Sequence, residues 1–374
     1  MPPRFTKIVE SLPASVPFVG PETLERNRGA PFQARLGANE SVFGPSPKVQ
    51  QALSAADREI WKYGDSVSYP LRQALALHHG VGMDHIVMGE GIDGILGYIA
   101  RLMVEPGDRV VTSAGAYPTF NYHVNGYGGV LEMQPYRDDK EDLPALIARA
   151  NACQAKLVYL ANPDNPMGGY WTGSEIALAL EDLNPGTLMV LDEAYGETAP
   201  KDAELPLPVE DERVLRLRTF SKAYGMAGAR IGYAIGAVPL IAAFEKIRHH
   251  FGLNRSAQIG ALAALQDQDH LAMVLDQISR SRADITRIAQ TNGLKALPSA
   301  TNFVAVDLGK DGNLSRAMVA ELAARDIFVR MPFVAPQDRC IRVSCGTKGD
   351  MALLEKVFPV ALQAARTVAD KNAT

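Results

Sequence analysis

Residues 213–236 read R-V-L-R-L-R-T-F-S-K-A-Y-G-M-A-G-A-R-I-G-Y-A-I-G. Two strand-like runs, Arg213–Phe220 and Arg230–Gly236, enclose a glycine-rich turn that carries Lys222. The same texture extends upstream through H-I-V-M (85–88), D-R-V-V-T-S (108–113), G-V-L-E-M (129–133), K-L-V-Y-L-A (156–161) and T-L-M-V-L-D (187–192). Short apolar runs alternating with helix-like stretches predict an α/β domain with a largely parallel sheet covered on both faces. Polar residues collect at the strand ends, where ligands sit in such sheets.

Beyond Pro239 the pattern changes to longer amphipathic stretches, 240–248 and 273–290, with apolar residues at helical spacing. Two more strand-like runs, T-N-F-V-A-V-D-L (301–308) and C-I-R-V-S-C (340–345), flank a helix around Leu314–Ala324, which predicts a smaller α+β domain. The first 35 residues, with Pro13, Pro17, Pro21 and Pro31, read as an irregular arm joining that smaller domain. The expected boundaries are an arm at 1–35, a large domain at 36–250 and a small domain at 251–374.

The chain has 374 residues, of which 47% are hydrophobic and 21% charged, values of a folded protein of about two domains. A net charge of −4 and the lack of any block of five like charges argue against a nucleic-acid partner. The apolar stretch Ile231–Phe244 is broken by glycines and Pro239 and falls short of the about 20 residues that cross a bilayer, so no membrane span is expected. The opening M-P-P-R-F-T-K-I-V-E has no apolar signal region, which predicts a cytoplasmic protein. Cys153, Cys340 and Cys345 show no metal-ligand spacing and are expected to be reduced, with no metal site.

Three motifs carry chemistry. Gly89-Glu90-Gly91-Ile92-Asp93-Gly94 matches G-x-G-x-x-G between a strand and a helix. The acidic residue that would end the second strand of a dinucleotide site is missing, because Asp108 begins its strand. What survives is a turn whose glycines allow close approach and whose N–H groups, at Ile92 and Asp93, suit a phosphate. The second motif is Thr219, Ser221 and Lys222 with Arg230 eight residues later, a combination suited to a phosphate and an imine. A lone lysine would be a solvated surface residue. The third element is the pair N-P-D-N-P-M-G (162–168) and L-D-E-A-Y (191–195), the latter closing an apolar strand.

These motifs resemble the fold type I aminotransferases that use pyridoxal 5′-phosphate, most closely the histidinol-phosphate aminotransferase branch. The resemblance covers most of the chain. Leu36–Leu53, which includes Asn39, is similar to that branch's opening segment, Tyr63–Ala76 to its next stretch, and Asp108–Phe120 to its strand and P-x-Y turn. It implies a seven-stranded, mostly parallel sheet, a homodimer with a shared active site, and a place in histidine biosynthesis. The substrates it implies are an amino donor, histidinol phosphate or an aromatic relative, and a 2-oxo acid such as 2-oxoglutarate.

It also implies roles. Lys222 would hold the cofactor aldehyde as an imine and, once freed, act as the base that moves the α-proton. Asp192, which alone would read as a turn cap, would keep the pyridine nitrogen protonated. Tyr195 and Asn165 would bond the ring's phenolate oxygen, and Tyr117 would stack on the ring. Thr219, Ser221, Arg230 and the Gly91-Ile92-Asp93 turn would take the phosphate, reached also by Tyr63 of a neighbouring subunit. Arg342 would clamp a carboxylate, Arg330 would meet a substrate phosphate, and Asn39 and Phe18 would line the substrate site. Gly94, Met167, Tyr170-Trp171 and Phe18 depart from the branch's pattern; Phe18 stands where a phosphate-touching tyrosine is usual. A decarboxylase resembling threonine-phosphate decarboxylase is the alternative within the fold.

Overall fold

The computed structural model describes residues 4–13 and 19–371. Seven strands build the main sheet: β1 Ile86–Gly89, β2 Arg109–Ser113, β3 Val130–Gln134, β4 Leu157–Ala161, β5 Leu188–Asp192, β6 Val214–Thr219 and β7 Gly232–Ile235. Their spatial order is β1-β7-β6-β5-β4-β2-β3. All neighbours run parallel except β7, which is antiparallel to both β1 and β6. Every predicted strand of this sheet is present within about two residues. Each residue of β4 and β5 is buried, as central parallel strands covered on both faces must be.

One face packs Val87, Leu96, Phe120, Tyr159 and Leu217 together, and the other packs Val111, Leu146, Ile176, Met189 and Val214. Fully buried side chains such as Leu96 and Phe120 each contribute about 1.5–3 kcal/mol. The helices that open toward the site start from sharp turns. Gly91, at φ +78°, lets β1 turn into α1, Gly91–Met103; Pro118 occupies the first turn of α2, Pro118–Gly126, where a missing N–H costs nothing.

A second, antiparallel sheet has three strands, β8 Lys295–Ala296, β9 Phe303–Asp307 and β10 Cys340–Ser344, with β9 central. Helices α3 Gln268–Thr291, α4 Gly312–Ala323 and α5 Lys348–Lys371 back it, through Ile278, Met318 and Phe358. Leu253–Leu271 supply side chains to the core beneath β1 and β7 instead.

The N-terminal segment is less irregular than its prolines suggested. Thr6 caps a short helix, Lys7–Ser11, and Pro21 begins Pro21–Arg28, because proline is at home in a first helical turn. Ala34–Arg35 then pair in parallel with Ile327–Phe328. The stretch 240–248 is helical only as far as Phe244 and continues in turns. Among the described residues no helix is long and apolar enough to cross a membrane, and no cluster of His, Cys, Asp or Glu could hold a metal ion.

Candidate active site

The C-terminal ends of β5 and β6 and the start of α1 enclose a cavity of about 130 Å³. It joins a wider one of about 440 Å³, the two sharing Asp93, Tyr117, Asn165 and Lys222. Among the described residues Lys222 is the only lysine lining either cavity. Its Nζ lies 3.4 Å from the carbonyl of Asn39 and 5.6 Å from the centre of the Tyr195 ring.

Asp192 ends β5 with its carboxylate turned into the narrow cavity. Tyr159 on β4 donates to Oδ2 at 2.6 Å and the Ala194 N–H donates to Oδ1 at 2.9 Å. Burial pushes the Asp192 carboxyl up to about 6, while those two hydrogen bonds pull it down. The group is therefore ionised at neutral pH and costly to leave without a positive partner, which suits a pyridinium nitrogen.

At the other end of the cavity the donors suit a phosphate. The Ser221 N–H donates to Thr219 Oγ1 at 3.0 Å, the two hydroxyls lie 3.0 Å apart, and Arg230 Nη1 donates to Ser221 Oγ at 3.5 Å. Arg230 also lies 3.6 Å from Asp93 and adopts a left-handed backbone conformation, φ 55°. Gly91 adopts φ +78°, which favours glycine, and a Cβ there would meet Arg230 Nη2 at 2.7 Å and push the guanidinium aside. A ring-nitrogen acceptor, an amine and a phosphate cradle in one cavity fit the cofactor that the resemblance implies.

Tyr117 caps α2 and donates to Asp93 Oδ1 at 2.9 Å, and its burial raises the phenol well above its ordinary range. Tyr195, 3% exposed, accepts a hydrogen bond from Asn39 Nδ2 at 2.8 Å. That leaves the Tyr195 O–H to donate elsewhere. Asn39 lines the wider cavity, but its side chain is engaged: Ser344 Oγ donates to Oδ1 at 3.1 Å, and Asn302 Nδ2 donates to its carbonyl at 3.0 Å. It braces the site at least as much as it faces a ligand.

Arg342, on β10, is largely buried. It donates to Asn165 Oδ1 and, at 3.2 Å, to the Gly37 carbonyl, and its guanidinium lies 5.3 Å from the Phe303 ring centre. Its Nε has no hydrogen-bond partner, and among the described residues no carboxylate lies within ion-pair distance. Burial lowers its pKa from 12.5 to about 10. Arg330 pairs with Arg342 through backbone bonds in both directions, lines the same wider cavity, and donates to the Val19 carbonyl at 2.7 Å.

Two expected residues stand apart. Tyr63 is 80% exposed, lines neither cavity, and lies 5.0 Å from Phe251, ring centre to ring centre. Phe18 lies outside the described residues. Tyr159 and the buried carboxyls Glu141 and Asp164 were not anticipated. A tyrosine inside K-L-V-Y-L-A and an acid inside N-P-D-N-P were the available signals, since a polar group in a buried stretch needs a partner.

The chain matches the family "Aminotransferase class I and II" over residues 33–358. Histidinol-phosphate aminotransferase of Moorella thermoacetica is 32% identical over 350 residues, 92% of this chain and 90% of that protein. Histidinol-phosphate aminotransferase 2 of Carboxydothermus hydrogenoformans is 32% identical over 345 residues, 91% of this chain and 94% of that protein. The crystal structure of histidinol-phosphate aminotransferase from Sinorhizobium meliloti in complex with pyridoxal-5′-phosphate has 52% sequence identity and a TM-score of 0.93, covering 96% of this chain and 98% of that one. A lysine turn, a strand-end aspartate and a seven-stranded sheet in this order, matched over nearly the whole length, establish that the chain belongs to the class I and II aminotransferases, in the histidinol-phosphate aminotransferase branch.

Proposed function

We propose that this enzyme uses pyridoxal 5′-phosphate to move an amino group from histidinol phosphate to a 2-oxo acid such as 2-oxoglutarate. The observation that carries the reading is the arginine pair. Arg342 is a desolvated cation with no carboxylate within ion-pair distance among the described residues, beside Arg330 on the wall of a cavity that also holds Lys222. Such a wall calls for anionic substrate groups. A 2-oxo diacid brings two carboxylates; histidinol phosphate brings a phosphate, which Arg330 on the same wall would meet. The S. meliloti relative, solved with pyridoxal-5′-phosphate, supports the choice of cofactor.

Bound in the narrow cavity, the cofactor supplies an electron-withdrawing ring conjugated to the carbon that takes the amino group. Thr219, Ser221, Arg230 and the start of α1 would hold its phosphate. Asp192, ionised, would hold a proton at the ring nitrogen, with Tyr159 fixing the carboxylate in place. Asn165 and the Tyr195 hydroxyl would donate to the ring oxygen. Lys222 would hold the cofactor's carbonyl carbon and, with its amine free, would take the proton from the substrate carbon that bears nitrogen. Tyr117 shields one side of the cavity.

The assembly is a homodimer in the cytoplasm, with Tyr63 reaching the partner's phosphate cradle. Its support is an exposed apolar run: Ile60, Trp61, Tyr63, Tyr69 and Phe251 are each more than half exposed, with the Tyr63 and Phe251 rings in contact. Light scattering tests the dimer. The reaction is tested with a panel of amino donors and 2-oxoglutarate, scoring glutamate and CO₂ together. Glutamate formed from histidinol phosphate without CO₂ is the expected result; CO₂ release without amino transfer overturns the reading.

A further inference from the structure

The turn that presents Asp192 and Tyr195 to the narrow cavity has a second side. Successive residues of a strand point to opposite faces, so Leu217 and Thr219 at the end of β6 share a face with Asp192, and Arg216 and Arg218 point the other way. Glu193 and Glu197 point with the two arginines. All four line a separate cavity of about 670 Å³ that shares no lining residue with the narrow one. There they form one ion-pair network. Arg216 donates to Glu193 from Nε and Nη2, each at 3.0 Å. Arg218 reaches both glutamates: Nη2 donates to Glu197 Oε1 at 2.8 Å, and Nη1 lies 3.6 Å from Glu193 Oε2. A Cβ on Gly196 would meet Arg218 Cζ at 2.8 Å, so this guanidinium lies against the backbone of the turn.

The network is a poor device for stability alone. The side chains of Glu193, Glu197 and Arg218 are only 5%, 7% and 14% exposed, and taking such charges out of water costs about what their attraction returns; an apolar pair of similar volume often serves as well. The bonding is also incomplete, because Arg218 Nε and Glu197 Oε2 are buried with no hydrogen-bond partner. What a fork of directed bonds adds over apolar contact is geometric register. Backbone pairing of β5 with β6 runs to Asp192 and Leu217, with one further bond from the Glu193 N–H to the Leu217 carbonyl at 2.9 Å. The Arg218 fork carries that tie on to Glu197.

We propose that Arg218 is a positioning residue of the cofactor site: by gripping Glu193 and Glu197 it fixes the turn that carries Asp192 and Tyr195 against the end of β6 and the turn that follows it, which carry Thr219, Ser221 and Lys222. Each link is a single step. Glu193 follows Asp192 in the chain, Tyr195 stands between the two glutamates, and Arg218 precedes Thr219. A shift of the fork therefore changes the spacing between the residues that meet the cofactor ring and those that meet its phosphate, although Arg218 itself lines neither cavity of the site.

This inference rests on the cofactor placement proposed above, so the test pairs a ligand that spans both sides of the tie with one that does not. Holoenzymes of the parent, Arg218→Lys and the double variant Arg218→Met/Glu197→Leu are dialysed against graded pyridoxal 5′-phosphate, which gives cofactor affinity, and against graded inorganic phosphate, which gives phosphate affinity by displacement. Melting temperatures are measured alongside. Asp211→Asn, which breaks the Arg213 pair at the start of β6, controls for stability lost at a distance. Lysine keeps the charge but cannot bridge two carboxylates as the fork does, so cofactor affinity falls about 10-fold while phosphate affinity stays within about twofold. The double variant leaves Glu193 with Arg216 and orphans no charge; it melts within about 3 °C of the parent yet binds cofactor about 10- to 100-fold more weakly. Arg218→Lys decides alone if the double variant does not fold. Unchanged cofactor affinity in either folded variant, a phosphate affinity that falls as far as the cofactor's, or an equal cofactor loss in Asp211→Asn overturns the proposal while leaving the cofactor in its cavity. A parent holoenzyme from which phosphate displaces no cofactor overturns the placement and the proposal together.

Discussion

Replacing Arg342 by methionine should damage one half-reaction and leave the free protein nearly as stable as before. The parent guanidinium is held in a desolvated place, and the fall of its pKa from 12.5 to about 10 corresponds to a net cost of about 3 kcal/mol for keeping the charge there. Methionine removes that cost and retains much of the side chain's apolar volume over Phe303. Against this, Asn165 Oδ1 and the Gly37 carbonyl lose a donor, about 1–3 kcal/mol each if no water replaces it. Both face a cavity that water can enter, so the terms nearly offset and the melting temperature should move by less than about 3 °C. The substrate sees no such compensation. A carboxylate that met a desolvated guanidinium loses about 2–5 kcal/mol, which is roughly 30- to 4,000-fold in affinity. Single-turnover measurements should therefore show the half-reaction with 2-oxoglutarate weakened by that factor and the half-reaction with histidinol phosphate, which has no carboxylate, little changed. A melting temperature lowered by more than about 6 °C, or equal losses in both halves, would refute the reasoning and make Arg342 a strut of the small sheet.

Lys222→Ala should lose the borohydride-reducible cofactor link and nearly all turnover; labelling of any other lysine in the parent protein, read by peptide mass mapping, contradicts the site. Asp192→Asn should retain cofactor but slow proton abstraction by at least about 10³-fold, since the electron-sink term acts in the transition state. Because burial raises Asp192 to about 6, it is protonated below that pH and must shed its proton to meet a protonated ring, so cofactor affinity of the apoprotein should fall about tenfold per pH unit below pH 6 beyond any fall seen in Asp192→Asn, as followed by absorbance titration. Arg330→Ala should raise the KM for histidinol phosphate at least tenfold more than that for an unphosphorylated donor, at roughly 1.4 kcal/mol per tenfold; equal effects on both in steady-state kinetics speak against a phosphate at Arg330.

The seven strands were legible in the chain because each is a local property. A run such as T-L-M-V-L-D is apolar throughout since both faces of a central parallel strand are covered, and the residue that breaks the run marks the strand end where ligands bind. The N-terminal helices were missed for an equally local reason: proline was taken as a breaker, while Pro21 sits in the one helical turn that tolerates it. What tertiary structure alone decided is how distant segments meet. Asn39 supports Tyr195 and contacts Lys222 across 156 and 183 residues, and Arg342 reaches Asn165 across 177. Glu141 bonds both Ser113 and Ala161 only because β4 lies beside β2 in the sheet. Periodicity states which face of a strand is buried, but not which strand lies beside it; neighbour choice is settled by burying every apolar face at once, and with it the company that each buried charge must keep.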